Sequence, residues 1–414
     1  MGLIFSAGFS ACETASEPPP EEKKTLLVDN TSSPYAERVG ITNWGAMYMP
    51  SLPEDKTSLL YGAEKILESG GKVIKIACGD PKSQYPLDDW SGESFSACVD
   101  VLKNARYAEL FQMDFKTFFI SITEQSRAKY TDGMSEEEKE SVEREFYEAT
   151  KYLLETYRGS GKTFILQNWE TDNYIRYSME GMDEVIVLRR YAEYFNVRQD
   201  GINRARAEFG MDEEKNVFVF GALEINKLDG SYTYSKAVDY VVPYTYADLY
   251  AYSSYEYKYK DKFKNAEEIS VALQAAMGYY RSKLPEKERY PQPVYFGDNR
   301  LAITEFGYPD KADGYSGEWQ KTVAEGHLLA LDACRLQYAV YWQLCCNELV
   351  GENASVIKKL SPTALRAYNF SAGELNGFYL LRPDGVETYS FSYLKEVFKS
   401  NSKDAEGKKT SVWK

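Results

Sequence analysis

Two short stretches hold the residues best placed to do chemistry. Phe164-Ile165-Leu166-Gln167-Asn168-Trp169-Glu170 and Leu301-Ala302-Ile303-Thr304-Glu305-Phe306-Gly307 each read as a buried strand that delivers a glutamate and then runs into loop residues. Two carboxyls presented in this way can divide the work of opening an acetal. One protonates the leaving oxygen, and the other attacks the anomeric carbon or activates water against it. Parallel α/β barrels build their sites from groups at the C-terminal ends of strands, so the expected chemistry depends on Glu170 and Glu305 sharing one barrel mouth.

Other chemistries have few residues to draw on. The 414 residues include a single histidine, His327, inside the helical run Val323 to Leu331, so a Ser/His/Asp triad or a histidine-rich zinc site would have to pass through one structural-looking residue. Gly159-Ser160-Gly161-Lys162-Thr163 ends like a phosphate loop, but it lacks the first glycine at the right spacing and precedes a strand instead of following one; it reads as a turn. With 63 acidic against 49 basic residues and a formal charge of −14, the chain repels nucleic acid and anionic membrane surfaces. Cys78, Cys98, Cys334, Cys345 and Cys346 show no metal-ligand spacing and read as small core residues. No cofactor or metal is implied. Aromatic residues make up 15% of the chain, with 35 tyrosines, which fits a cleft walled by amphipathic rings; a tyrosine-rich core and surface is the alternative.

The elements that must position the two glutamates alternate along the chain. Strand-like runs occur at Gly40–Trp44, Val73–Cys78, Thr117–Ile122, Thr163–Gln167, Val217–Ala222, Tyr240–Tyr244, Leu301–Thr304 and Ala339–Trp342. Amphipathic helical patterns separate them at Lys56–Glu68, Ser135–Tyr157, Asp183–Phe209, Ala266–Leu284 and Glu318–Leu336, and a closing helix is expected over Ser392–Phe398. Eight strands with helices between them predict an α/β fold, a single (β/α)8 TIM barrel. Glu170 then follows the fourth strand and Glu305 ends the seventh, on facing sides of the mouth. Tyr244 to Lys264 would form a long loop at that face.

At these residues the chain resembles the clan of retaining (β/α)8-barrel glycoside hydrolases, over about Gly40 to Phe398. Thr304-Glu305-Phe306-Gly307 is similar to that clan's nucleophile strand, and the glutamate after the fourth strand to its acid/base. The likeness departs at Asn168-Trp169-Glu170, because the clan's acid/base glutamate usually follows an asparagine directly. The resemblance implies that Glu305 is the nucleophile and Glu170 the general acid/base, that Trp342 stacks beneath the sugar, and that Tyr244 or Tyr246 hydrogen-bonds the nucleophile. Asn168 would contact the sugar 2-hydroxyl if a bulge re-aims the strand. Trp169 would desolvate Glu170, and Asn43, Glu224, Lys75, Asp80, Glu124, Asn226 and Glu348 are strand-end groups for sugar hydroxyls or for structure.

The expected partner is a carbohydrate, with a groove on β-linked polysaccharide preferred over a pocket for terminal sugars. The competing readings are a non-catalytic barrel that only binds glycan at a cell surface, and a metal-assisted lyase or isomerase. Leu3 to Cys12 resembles a bacterial lipoprotein signal, although no Lys or Arg precedes its short apolar run. This suggests residues 1–37 as leader and linker with a lipid on Cys12, 38–400 as the catalytic barrel, and 401–414 as a polar tail of an exported cell-surface or periplasmic protein. No apolar stretch approaches the roughly 20 residues that cross a bilayer. The sequence carries no signal of oligomeric state.

Overall fold

The computed structural model describes residues 26–126, 129–178, 181–228, 236–310 and 316–400. Cys12 and the 401–414 tail lie outside them. Eight strands, β1 (Val39–Thr42), β2 (Val73–Cys78), β3 (Thr117–Ile122), β4 (Lys162–Gln167), β5 (Val217–Ile225), β6 (Leu249–Ser253), β7 (Leu301–Phe306) and β8 (Ala339–Tyr341), follow one another around a closed barrel. All neighbours are parallel, and β1 closes on β8 through pairs such as Gly40 with Val340. The fold is the (β/α)8 barrel expected from the alternation.

Parallel barrel strands are covered on both faces, which is why they read as nearly continuous apolar runs. Residues of one parity, Val73, Phe119, Ile165, Ala222, Leu249, Ala302 and Val340, pack together as a small cluster in the barrel interior. Residues of the other parity join the larger core beneath the surrounding helices. Because side chains alternate along a strand, the residues two places on from the interior layer also face inward. On β2, β5 and β7 these are Lys75, Glu224 and Thr304, so a polar layer sits on the apolar one at the C-terminal end.

Five helices open with a side-chain cap. Thr57, Ser135, Asp183, Asn265 and Thr388 accept from backbone N–H groups in the first turns of Ser58–Glu68, Glu136–Thr156, Glu184–Phe209, Ala266–Lys283 and Tyr389–Lys399. Among the described residues no helix is long and apolar enough to cross a membrane. The expected turn lies just before β4, with Gly159 and Gly161 at positive φ, and Lys162 and Thr163 already open the strand.

The sixth strand departs from expectation. Tyr240–Tyr244 is not extended: Ala237–Tyr240 is a helical turn and Val242–Tyr244 a 3-10 turn. Pro243 lacks the N–H that a ladder needs and has a fixed φ that suits the first turn of a helix. The strand is Leu249-Tyr250-Ala251-Tyr252-Ser253, buried at every position, where the tyrosines suggested a loop. The loop at the active face therefore begins at Ser254 instead of Tyr244.

Candidate active site

The polar layer is organised by Lys75. Its fully buried ammonium reaches Glu305 Oε1 at 2.7 Å, Glu224 Oε1 at 3.0 Å and the Thr304 carbonyl at 3.3 Å, using all three donors. Burial works against the charge, but the two carboxylates outweigh it, and the Lys75 pKa is raised. Glu224 also accepts from Thr304 Oγ1 at 2.6 Å and from the Glu170 backbone N–H at 3.2 Å. Thr304 and Glu305 are consecutive, so strict alternation would send one of them outward. The register shifts at this point, pairing Tyr252 with Ile303 and then Ser253 with Glu305. The irregularity lets both side chains reach the Lys75–Glu224 layer.

Glu170 sits just beyond β4, at the start of Thr171–Ser178. Asn168 holds that corner. Its Oδ1 accepts from the Glu224 N–H at 2.8 Å, and its Nδ2 donates to the Glu224 carbonyl at 3.1 Å and to Thr171 Oγ1 at 2.9 Å. The carboxyl of Glu170 accepts from Asn173 Nδ2 and, at 3.4 Å, from Asn226 Nδ2.

Ser253 links the two glutamates. Its Oγ lies 2.6 Å from Glu170 Oε1 and 3.2 Å from Glu305 Oε2, so those oxygens are no more than about 6 Å apart. A hydroxyl has one proton to donate, so both contacts are hydrogen bonds only when one carboxyl supplies its own. Burial, then the charge of Glu224, raises the Glu170 pKa. Burial also raises Glu305; Lys75 pulls against that rise, and Glu224 and Glu170 add to it. The two titrate together. Glu305 touches the ammonium and accepts from Tyr255 Oη at 3.3 Å, whereas among the described residues no cation pairs with Glu170. We therefore assign the shared proton to Glu170 and the negative charge to Glu305.

The pair opens into a pocket of about 490 Å³. Trp44, Trp169, Trp342, Tyr255 and Phe378 supply its aromatic walls, with Trp44 edge-on to Trp342 at 5.5 Å. Asn173, Asn226, Asn347, Asn376, Lys227, Lys258 and Glu348 supply polar groups. Aromatic faces set among many polar groups suit a ligand of sugar type. Among the described residues no group of three His, Cys, Asp or Glu side chains is arranged to hold a metal ion.

The structure brings Glu170, Glu305, Trp169 and Trp342 together and places Glu224 directly beneath them. It does not bring in four others. Asn168 spends its amide on the Glu170 corner. Asn43 is buried against the helix Ser58–Glu68, donating to the Leu59 carbonyl at 2.9 Å, where Gly62 leaves room because a Cβ there would lie 2.4 Å from the Asn43 amide oxygen. Tyr244 is exposed, with the Arg189 guanidinium 3.3 Å from its ring centre, and Tyr246 donates to Asp200 at 2.8 Å. Both tyrosines precede β6, at its N-terminal end, away from the mouth. Tyr255, just past β6, makes the contact with Glu305 expected of them. Of the other strand-end groups, Asn226 and Glu348 line the pocket, whereas Glu124 accepts from Tyr194 Oη elsewhere. The turn carrying Tyr255 is steadied by His327. Its Nδ1 donates to the Val323 carbonyl at 2.8 Å, its Nε2 accepts from Ser254 Oγ at 3.0 Å, and burial lowers its pKa to about 4, which keeps it neutral.

No protein-family model matches the chain, and no curated protein does. Solved structures are similar to it. A GH5_18 from Bifidobacterium longum subsp. infantis is 11% identical with a TM-score of 0.50, over 88% of this chain and 79% of that one. The apo β-glucuronidase from Ruminococcus gnavus is 11% identical with a TM-score of 0.47, over 91% and 52%. The same enzyme in complex with D-glucuronic acid gives 12% and 0.45 over the same shares. This chain thus spans about half the length of the β-glucuronidase. The likeness to the Bifidobacterium protein is one of fold.

Proposed function

We propose that the protein is a glycoside hydrolase that cleaves O-glycosidic bonds of a β-linked poly- or oligosaccharide with retention of anomeric configuration. The observation that carries this reading is the Ser253-bridged pair: two carboxyls within about 6 Å, one beside a buried ammonium, at the mouth of an aromatic pocket. A span of at most about 6 Å between the facing oxygens supports retention, for which the carboxyls stand about 5–5.5 Å apart, over inversion, which places them about 6.5–9.5 Å apart.

In the first step the ionised Glu305 attacks the anomeric carbon while Glu170 passes its proton to the glycosidic oxygen. The C–O bond to the leaving group breaks and a glycosyl ester forms on Glu305. In the second step Glu170, now a carboxylate, takes a proton from water as that water attacks the same carbon, and Glu305 leaves as a carboxylate. Lys75 and Tyr255 offset the charge on Glu305 before attack and after release, and burial together with the charge of Glu224 keeps Glu170 protonated until it is needed. Trp342 and Trp44 offer a ring surface for the sugar.

The test compares wild type with Glu305→Gln on a panel of aryl glycosides and soluble polysaccharides. Measurable wild-type hydrolysis that falls by at least about 10³-fold in the variant supports the reading. Glycan binding by both proteins with no hydrolysis by either would instead make the barrel a binding module.

A further inference from the structure

The aromatic wall behind Glu305 carries a cation that the proposed chemistry does not use. Lys258 lies in the loop after β6 and lines the same pocket. Its Nζ sits 4.9 Å from the ring centre of Tyr255 and 5.0 Å from that of Phe378, two rings that meet edge-on at 5.7 Å. The hydroxyl of that same Tyr255 donates to Glu305. Lys258 is therefore one tyrosine ring away from the reacting carboxylate, close enough to reach the sugar under attack or its immediate neighbour. Among the described residues its ammonium makes no hydrogen bond and no ion pair; its contacts are ring faces, with Tyr259 as the third at 5.7 Å. An ammonium has three donors, and ring faces leave them directed elsewhere. Lys75, by contrast, has every donor satisfied by the carboxylates and carbonyl around it.

The surroundings of Lys258 also disfavour its charge. Burial lowers its pKa, with the nearby Lys227 adding to the fall, and the attraction of Glu348 and Glu170 does not make up the difference. Glu348 is an exposed rim residue that accepts from Asn376 Nδ2. A bound anion would satisfy the free donors and relieve the unfavourable charge together. A neutral sugar would do neither as well, since its hydroxyls offer only weaker, uncharged acceptors.

We propose that the sugar unit bound beside Glu170 and Glu305 carries an anionic substituent, a carboxylate or a sulfate ester, held by the Lys258 ammonium. The substrate class is then an acidic glycan, and this rests on the glycoside hydrolase reading of the site. Lys258 is a substrate-binding residue on this view, and it takes no part in the bond exchange.

The experiment measures kcat/KM of wild type, Lys258→Met and Lys258→Arg on matched 4-methylumbelliferyl β-glycosides of gluco and galacto configuration. Each is supplied as the neutral sugar, the 6-carboxylate and the 6-sulfate. Met keeps an apolar stem against Tyr255 and Phe378, and Arg keeps the charge. The expected result is that wild type prefers one acidic form, that the ratio of acidic to neutral kcat/KM falls about ten- to a hundredfold in Lys258→Met, and that Arg restores much of it. Whether carboxylate or sulfate is preferred names the substituent. Neutral glycosides cleaved as well as both acidic forms would overturn the proposal and leave the hydrolase reading standing. If no glycoside is cleaved, the hydrolase reading falls and calorimetry with hexuronate and sulfated oligosaccharides decides the binding question. Binding weakened about tenfold or more by Lys258→Met supports the anionic site, and binding that is absent or indifferent to the substitution refutes it.

Discussion

Replacing Lys75 with methionine removes the cation shared by Glu224 and Glu305 and leaves both carboxylates buried. At 2.7 and 3.0 Å, and with an effective dielectric of about 20, each contact carries a gross attraction of about 6 kcal/mol, part of which offsets the cost of burying the charges. Removing one member of such a network typically costs about 3–5 kcal/mol, because the remaining charge is stranded. Glu305, which burial already raises, then holds its proton to a still higher pH in the folded state than in the unfolded chain. Groups raised in this way favour the folded state at low pH and cease to do so as pH climbs through the folded value. The Lys75→Met penalty should thus be smallest at about pH 5 and still growing at about pH 8. Activity should show the same loss from another side: the acidic limb of the kcat/KM profile, which reports ionisation of Glu305, should move up by about 1–3 pH units. The assays are urea unfolding at both pH values and a pH–rate profile on an aryl glycoside. Adding Glu224→Gln removes one stranded charge, and it should recover stability without returning the acidic limb to its wild-type position. An acidic limb that stays in place in Lys75→Met, or a penalty independent of pH, would refute the claim that Lys75 keeps Glu305 ionised.

Two further outcomes separate chemistry from architecture. Glu170→Gln should lower kcat by about 10²–10⁴-fold on substrates whose leaving group needs a proton and far less on nitrophenyl glycosides; equal losses on both would remove Glu170 from the acid role. Asn43→Ala should destabilise the fold by about 1–3 kcal/mol in urea titrations, by removing the amide donor to the Leu59 carbonyl and opening a gap against Gly62, with KM and kcat of the remaining folded protein unchanged; a change in KM would return Asn43 to the sugar site.

Much of the barrel was legible because its strands are apolar on both faces and its helices carry one charged stripe. Seven of the expected strands overlap those observed, and the sixth was misread for a definable reason. Val241-Val242-Pro243 is β-branched and apolar, yet proline turns it into a 3-10 turn, whereas Leu249–Ser253 is rich in tyrosine and stands next to charged loop residues. That one displacement moved the expected tyrosine from Tyr255 to Tyr244 and Tyr246. Glu170 and Glu305 were found because each follows a run whose burial is plain in the sequence. Lys75 stood out only as a polar residue inside Val73–Cys78, and its meaning depends on neighbours from β5 and β7 that no local pattern names. Asn168 was placed at the correct corner but given a sugar contact; both ends of its amide are taken by the Glu224 backbone, a pairing set by the β4–β5 register. The pocket groups Trp44, Asn376, Phe378 and Lys258 converge from distant loops, with Asn173 from the helix Thr171–Ser178, and such convergence has no periodic signature.

The proposed retaining pair is tested most directly by the anomeric configuration of the first sugar released, followed by NMR before mutarotation. A Glu305 nucleophile with Glu170 within about 6 Å requires that a β-glycoside give the β-anomer first, with the α-anomer appearing only as the solution equilibrates. The α-anomer as first product would mean a single displacement by water and would contradict the covalent role assigned to Glu305.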